Sequence, residues 1–287
     1  MRSPRTRWNG AAPLGIALLA VAACSSTELP GTDAGTTPLA IVIVPSRVEL
    51  TLAHDKVQEQ PFRAYGFYHS APPDAGGDGP PAGGVDITDR VSWSVELSSM
   101  GRFTGNRFRT EVMEGGAVVP ARHGGAGRVL ASFAGTTGAA ELRVKFEKAF
   151  FDAGAPKGAA GKFGGKTAAS RAPRLIYPAT GTMVPPNLGK LEPQWARGSG
   201  NDLFQLHFTS KLCDVRIYTA EQSYELSGAV WKAVALTSRE DSVTIKVHGT
   251  KSASPSVRGV SGPVTLRVGR GDVKGGLYYW VASKTGG

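Results

Sequence analysis

Three things are scarce in this sequence. It holds two cysteines in 287 residues, which excludes a disulfide-dense scaffold. Its apolar run at residues 11–23 falls short of the about 20 residues that a membrane-crossing helix needs. Close-spaced catalytic or metal-binding groups are also missing. The five histidines (His54, His69, His123, His207, His248) are scattered, and none lies two to four residues from another. That excludes the HExxH zinc signature and close His pairs, although distant ligands can still converge. There is no Gly-x-Ser-x-Gly nucleophile elbow. No catalytic residue, metal or cofactor is therefore expected, and the chain reads as a non-enzyme.

Hydrophobic residues make up 41% and charged residues 20%, a globular balance rather than a disordered one. Glycine (38) and proline (19) together exceed the usual share of roughly 12% and predict many turns or linkers. The formal net charge is +10, and it divides unevenly. Residues 1–23 carry three Arg and no acid, whereas residues 24–147 are net acidic. The rest of the excess is split between a short stretch, residues 148–174, and residues 175–287. A nucleic-acid binder concentrates charge on one folded face among aromatics. The densest basic run, 157–174, holds one aromatic, Phe163, and is expected to be a solvated linker. No nucleic-acid partner is expected.

The first 23 residues read as an address. Arg2, Arg5 and Arg7 form a basic region, and residues 11–23 an apolar one of secretory-signal length. It ends in Val21-Ala22-Ala23-Cys24, followed by Ser25 and Ser26. This resembles a bacterial lipoprotein signal with its lipobox. The resemblance implies cleavage before Cys24, lipidation of its thiol and acylation of the freed amine. Several acyl chains at about 0.8 kcal/mol per buried CH₂ anchor stably. An ordinary signal peptide with a chance Cys is the alternative. Ser25 in place of Asp resembles outer-membrane sorting, so the expected location is the cell envelope, at the outer membrane or cell surface. Residues 24–37 then form a tether.

From residue 39 the pattern is β. Val48, Leu50 and Leu52 alternate with Glu49 and Thr51; Val91, Trp93 and Val95 with Ser92 and Ser94; Leu142, Val144 and Phe146 with Arg143 and Lys145. Short period-2 runs broken by Gly-rich turns predict an antiparallel sandwich. The pieces Val44-Pro45-Ser46, Phe62-x-Ala64-x-Gly66, Thr88-x-x-Val91-x-Trp93 and Gly101-Arg102-Phe103 occur in order. Over residues 38–147 they resemble the group 2 bacterial Ig-like domain, which implies a buried Trp93 as the central anchor. Residues 69–84 look like a loop insertion. Residues 148–174 hold Gly, Ala and Lys without apolar period, as a linker or partly ordered strap.

A second β pattern spans 175–287. Residues 203–208, 215–218, 243–247 and 264–268 read as strands, and residues 229–236 as a short helix. The early Trp195 and the closing Leu277-Tyr278-Tyr279-Trp280 are similar to a fibronectin type III-like domain. Pro185-Pro186-Asn187-Leu188 and that closing strand are similar to envelope proteins of myxobacteria-like organisms, in which such modules precede a β-propeller. The expected class is all-β: two tandem Ig-like/fibronectin type III-like β-sandwiches after a lipoprotein signal peptide.

Several motifs are decoys. Residues 160–167 (AGKFGGKT) formally fit a P-loop, but no buried strand precedes them and Pro173 stops any helix, so no nucleotide site is expected. Arg270-Gly271-Asp272 is read as a hairpin turn. Asp74 and Asp78 are too few oxygens for calcium. Asp86 and Asp89 read as turn caps. Cys213, in an apolar strand, reads as buried and inert.

The sequence thus points to a membrane-anchored binding, adhesion or presentation module, its partners the membrane and envelope polysaccharide or protein. Exposed aromatics at Tyr65, Phe67 and Tyr68 would mark the binding loop. A spacer for a separate β-propeller and an enzyme with a dispersed site are the alternatives. Cells fed radiolabelled palmitate should label the wild-type chain and not Cys24→Ala; label persisting in the mutant would refute the lipidation of Cys24.

Overall fold

Strict alternation of apolar and polar side chains fixes which face of each strand turns inward, and the strands form where that alternation occurs. A computed structural model describes residues 37–69, 72, 79–239 and 241–275. Contacts divide the chain into residues 1–36 and residues 37–287, and every described residue belongs to the second unit. The signal, Cys24 and almost all of the tether lie outside the described residues, as do Asp74, Asp78 and the closing strand at Leu277–Trp280.

The fold is all-β, with one ten-residue helix among the described residues. In the first sandwich Ala40–Val44 pairs antiparallel with Arg63–Phe67, whose other edge takes Val85–Asp86. A second antiparallel group joins Glu59–Pro61, Arg107–Arg109 and Arg102–Thr104. Glu111–Glu114 and Ala117–Pro120 form a two-stranded hairpin, and a larger sheet runs Ser92–Val95, Gly125–Phe133, Thr136–Phe151 and then Arg47–Ala53, the last pairing parallel. Phe62, Phe108, Leu52 and Leu142 are fully buried between these layers.

Trp93 differs from expectation. It is half-buried, stacked on Phe103 with ring centroids 5.4 Å apart. Its Nε1 donates to the Thr88 carbonyl at 3.2 Å. A ring with a polar N–H settles where that group finds a partner, and Phe62 and Phe108 take the centre.

In the second sandwich Leu203–Thr209 lies between Cys213–Thr219 and Ser242–Thr250, all antiparallel. Val257–Val260 and Val264–Val268 each pair antiparallel with Ser242–Thr250. Trp195 packs edge-on against Phe204 at 5.6 Å. The helix Gly228–Thr237 is capped by Ser227, whose Oγ accepts from the Val230 N–H at 3.4 Å. Trp231 is fully buried, its Nε1 donating to the Pro185 carbonyl at 2.7 Å.

The two sandwiches share a strand. Thr136–Phe151 is 16 residues long. Residues 136–144 pair antiparallel with Gly125–Phe133, and residues 146–151 pair parallel with Cys213–Tyr218. The N–H of Phe146 donates to the Leu212 carbonyl at 2.7 Å, two residues past the last rung to Gly125. Most buried apolar residues of both lobes accordingly form one continuous core, with two small satellite clusters beside it.

The exchange of partners at this point demands a close approach. A Cβ on Gly124 would overlap the Val144 carbonyl oxygen, and the Gly124 N–H donates to Thr237 Oγ1 at 3.0 Å. Gly124 thus ties one lobe to the helix of the other.

Of the linker and the partly ordered strap expected for residues 148–174, the structure has the strap, and the basic run 157–174 is not solvated chain. Residues 148–151 belong to the shared strand. Ala159–Phe163 forms a 3₁₀ turn, and Lys166–Thr167 pairs parallel with Val257–Arg258. Lys162 Nζ donates to the Ser252 carbonyl at 2.9 Å, Arg258 Nη1 to the Phe163 carbonyl at 2.8 Å, and Asn201 Nδ2 to the Arg171 carbonyl at 2.7 Å. A Cβ on Gly259 would overlap the Arg171 carbonyl, so the segment lies flat on the sheet edge. Backbone pairing, invisible to apolar periodicity, holds it there.

A shared strand and a shared core predict one cooperative transition for residues 37–287 in urea. Single-tryptophan variants retaining Trp93 or Trp231 should report the same midpoint; separated midpoints would show independent lobes. Gly124→Ala should lower stability by about 2–4 kcal/mol through forced displacement of buried backbone.

Candidate functional site

The polar face of the second sheet gathers the most unusual titratable groups. On Leu203–Thr209 the apolar Phe204, Leu206 and Phe208 turn to the core and leave Gln205 and His207 on the opposite face. Pairing then decides the neighbours. His207 lies opposite Arg216 and Lys246, and Gln205 opposite Tyr218 and His248.

His207 Nε2 donates to Asp214 Oδ1 at 3.0 Å, and Arg216 Nη2 donates to Asp214 Oδ2 at 2.9 Å. Gln205 Nε2 donates to the Tyr218 hydroxyl at 2.8 Å. The rings of His207 and His248 stand 6.0 Å apart. Neither ring nitrogen of His248 has a hydrogen-bond partner among the described residues, and both are shielded from solvent.

This environment keeps the imidazoles neutral. Burial pulls the His248 pKa down to about 4, helped by His207 and by the charges of Arg258, Lys246 and Arg216. Burial also lowers His207, against the pull of Asp214. His123, near the lobe junction, is lowered by burial first, with Arg239 and Lys232 adding to the effect, while its Nδ1 donates to the Gly124 carbonyl at 2.6 Å.

A carboxylate-held imidazole can serve as a base where a nucleophile stands beside it. Here no Ser, Thr or Cys side chain hydrogen-bonds to His207 or His248 among the described residues. No group of three or more His, Cys, Asp or Glu is placed to hold a metal there either.

Cys213 is 1% exposed, and burial pushes its thiol up to about 12, which removes it as a nucleophile at neutral pH. The P-loop-like run is split between the 3₁₀ turn and the short strand at Lys166–Thr167. Its Lys162 is spent on the Ser252 carbonyl. Asp86 Oδ1 accepts from the Thr88 N–H at 2.9 Å, as a turn cap does. Asp89 lines the same open concavity of about 490 Å³, with Arg63 and Asn106. Arg270-Gly271-Asp272 is an exposed bend after Val264–Val268. The chain runs on to Val273, held by two hydrogen bonds to the Asn187 amide.

The aromatic marker for a binding loop is corrected. Tyr65 and Phe67 are 4% and 1% exposed and pack with Val44 in a separate small cluster. Gly84 sits against the Tyr65 Cβ and the Phe67 ring. Tyr68 is half-buried, and Val85–Asp86 adds to the edge of the strand that carries Tyr65 and Phe67, so these two aromatics are buried instead of presented. Exposed aromatic and aliphatic side chains lie elsewhere: Phe151, Ile176 and Tyr177, and Met113 opposite Val118 on a hairpin.

A groove of about 310 Å³ runs between the lobes. Phe146, Phe150, Val230 and Pro120 line it, with Arg122 and Lys148 among its charges. Both cations are engaged, Arg122 by Glu114 and Lys148 by Asp55.

The cross-strand histidine cluster was not anticipated. Its signal is the pairs His207/Gln205, Asp214/Arg216 and Lys246/His248, each spaced two apart on a strand. Register, which the sequence leaves open, brings them together.

No family model matches the chain, and no curated protein matches it either. Solved structures with some similarity include the fibronectin(III)-like modules of Clostridium thermocellum CbhA, 13% identical, with a TM-score of 0.25 over 84% of this chain and 100% of that one. The titin domains Z1Z2 in complex with telethonin are 15% identical, with a TM-score of 0.22 over 83% and 100%. The Sidekick-1 immunoglobulin domains 1–4 are 12% identical, with a TM-score of 0.22 over 79% and 51%. At such scores the fold assignment rests on the strand pairing described above.

The neutral histidines give stability a defined pH dependence. For a group whose folded pKa is depressed, the unfolded chain takes up the proton first. Stability from His248 is therefore complete above its unfolded value of 6.5 and is lost as pH falls towards about 4. The wild-type minus His248→Gln difference in urea midpoint should shrink across that window. A difference constant from pH 7 to 4 would show that His248 does not titrate this way.

Proposed function

We propose that the chain is an envelope lipoprotein whose two sandwiches form a single rigid module that holds a non-catalytic binding surface away from the membrane. The observation that carries this reading is the shared strand Thr136–Phe151. Two domains joined by a flexible linker change their relative orientation freely. Here the joint consists of backbone hydrogen bonds and a common core, so a ligand contacting either lobe meets a fixed surface.

The lipobox at Cys24 supports anchoring, and the polar tether at 24–37 supports a gap between lipid and the first lobe. The polar sheet face lacks a nucleophile beside its imidazoles, and the thiol is buried. Both observations favour binding over catalysis. The same rigidity also suits a spacer that sets the distance of a further module from the surface.

The test is capture from fractionated envelopes. Residues 37–287, one compact unit, immobilised on beads should retain a polysaccharide or protein fraction that heat-unfolded protein does not. A parallel screen against hydrolase substrates should show no turnover. Turnover, or the absence of any retained fraction, would overturn the reading.

A further inference from the structure

We propose that Arg239, Arg267 and Arg270 form a docking site for an acidic polysaccharide. This names a partner class for the binding role above and rests on that reading. The three guanidinium side chains line one open concavity of about 700 Å³, together with Asp241, Ser242 and Val268. Arg267 is brought there by its register with Ser242 at the start of Ser242–Thr250. Arg239 comes from the turn that follows the helix Gly228–Thr237, and Arg270 from the bend after Val264–Val268.

What distinguishes these arginines is the lack of a partner combined with a shared concavity; Arg174 and Arg197 also make no ion pair among the described residues but do not line it. In the first sandwich every described arginine is engaged. Arg47, Arg102, Arg107, Arg109, Arg122, Arg128 and Arg143 pair with carboxylates. Arg63 bonds the Tyr65 hydroxyl, and Arg90 stacks on Phe133. Arg239, Arg267 and Arg270 make no ion pair among the described residues, and all three are exposed. Glu240 lies outside the described residues.

The one lining carboxylate offsets only one of the three charges and makes no ion pair with any of them. Asp241 Oδ1 accepts from the Ser242 N–H at 2.8 Å, and Asp241 Oδ2 from the Lys211 N–H at 3.1 Å. Both oxygens are thus already engaged by backbone. Three guanidiniums against one carboxylate leave the described lining with a local positive excess.

Guanidinium forks match carboxylate, sulfate and phosphate oxygens in bidentate fashion. A single exposed pair contributes little. A wide, open site with three separated forks suits a chain of repeating anions, where successive contacts add through effective concentration. The near absence of apolar lining, Val268 alone, fits sugar better than an acyl chain or a protein anchor residue.

The test uses residues 37–287 with polygalacturonate (carboxylate), dextran sulfate (sulfate) and phosphatidylglycerol vesicles, and neutral dextran as control. Binding to at least one acidic polymer is expected, weakening as salt rises from about 50 to about 300 mM. The variant R239Q/R267Q/R270Q should lose about tenfold in affinity. The charge-matched variant K157Q/K166Q/R174Q should retain wild-type affinity. Circular dichroism and urea midpoints check that both variants fold.

Equal loss in the two variants would mean that net charge, not this site, drives binding, and would overturn the inference. So would binding confined to vesicles of phosphatidylglycerol, or no binding to either acidic polymer. If the arginine variant still captures an envelope fraction at wild-type level, the inference fails while the binding-module reading stands.

Discussion

Everything above the level of the single sandwich depends on one strand changing partners in mid-course. Up to Val144 it bonds to its own hairpin mate, Gly125–Phe133, and from Phe146 onward to Cys213–Tyr218 of the second lobe. A strand edge left bare is a row of unsatisfied donors and acceptors. Where Gly125–Phe133 ends, the second lobe takes up that row, and the alternative would be a six-residue exposed edge. The handover allows no side chain at Gly124, because Val144 already occupies the space. It also explains the Thr237 hydroxyl. It accepts from the Gly124 N–H and donates to the Ala233 carbonyl, a buried bridge from one lobe into the helix of the other. These contacts form one backbone-level joint, so the relative orientation of the lobes is set by the same interactions that set the sheets.

Orientation by backbone has a consequence for the polar groups. Burying a sheet face next to a second lobe and a strap of chain removes water from side chains that would otherwise be solvated. His123, His207 and His248 occupy such places, and all three are held neutral by that loss of water. Asp214 shows the compensated case, with His207 and Arg216 each satisfying one oxygen. His248 shows the uncompensated one, its two nitrogens bare and shielded. The cost is carried by the surrounding core, which runs unbroken through both lobes.

How much of this was legible in the sequence depends on whether the signal is local. Alternation at Val48–Leu52, Leu142–Phe146, Val243–Val247 and Val264–Val268 gave the strands, because period two is a property of neighbouring residues. The helix at 228–237 and the burial of Cys213 were legible for the same reason. Trp93 was misplaced because its burial depends on where Phe62 and Phe108 stand, which no local pattern encodes. Tyr65 and Phe67 looked free because the covering strand, Val85–Asp86, returns from beyond a 16-residue insertion. The stretch 148–174 looked like solvated chain because its attachments are main-chain carbonyls and a two-residue parallel pairing, neither of which has a compositional mark. The histidine cluster and the arginine concavity depend on register between strands distant in sequence, and periodicity does not set register.

The charge illustrates the same separation between composition and place. The overall +10 suggests a polyanion partner but locates nothing. In the first lobe Arg47, Arg102, Arg107, Arg109, Arg122, Arg128 and Arg143 share the carboxylates of Glu59, Glu96, Glu111, Glu114 and Glu141, so most of their charge is engaged within the fold. In the second lobe Arg239, Arg267 and Arg270 converge without a carboxylate to hold them, and the one that shares their concavity, Asp241, is bound to backbone. A field that can act on a ligand comes from unmatched charge on a shaped surface, and its magnitude follows local arrangement instead of the sum. All three stand on the second lobe, so its own sheet register, which sets Arg267 opposite Ser242, and not the joint between the lobes, places their backbone positions together. The joint fixes one lobe against the other, whereas the arginine concavity is set within a single lobe by strand register, so the two features arise from separate parts of the same backbone pairing.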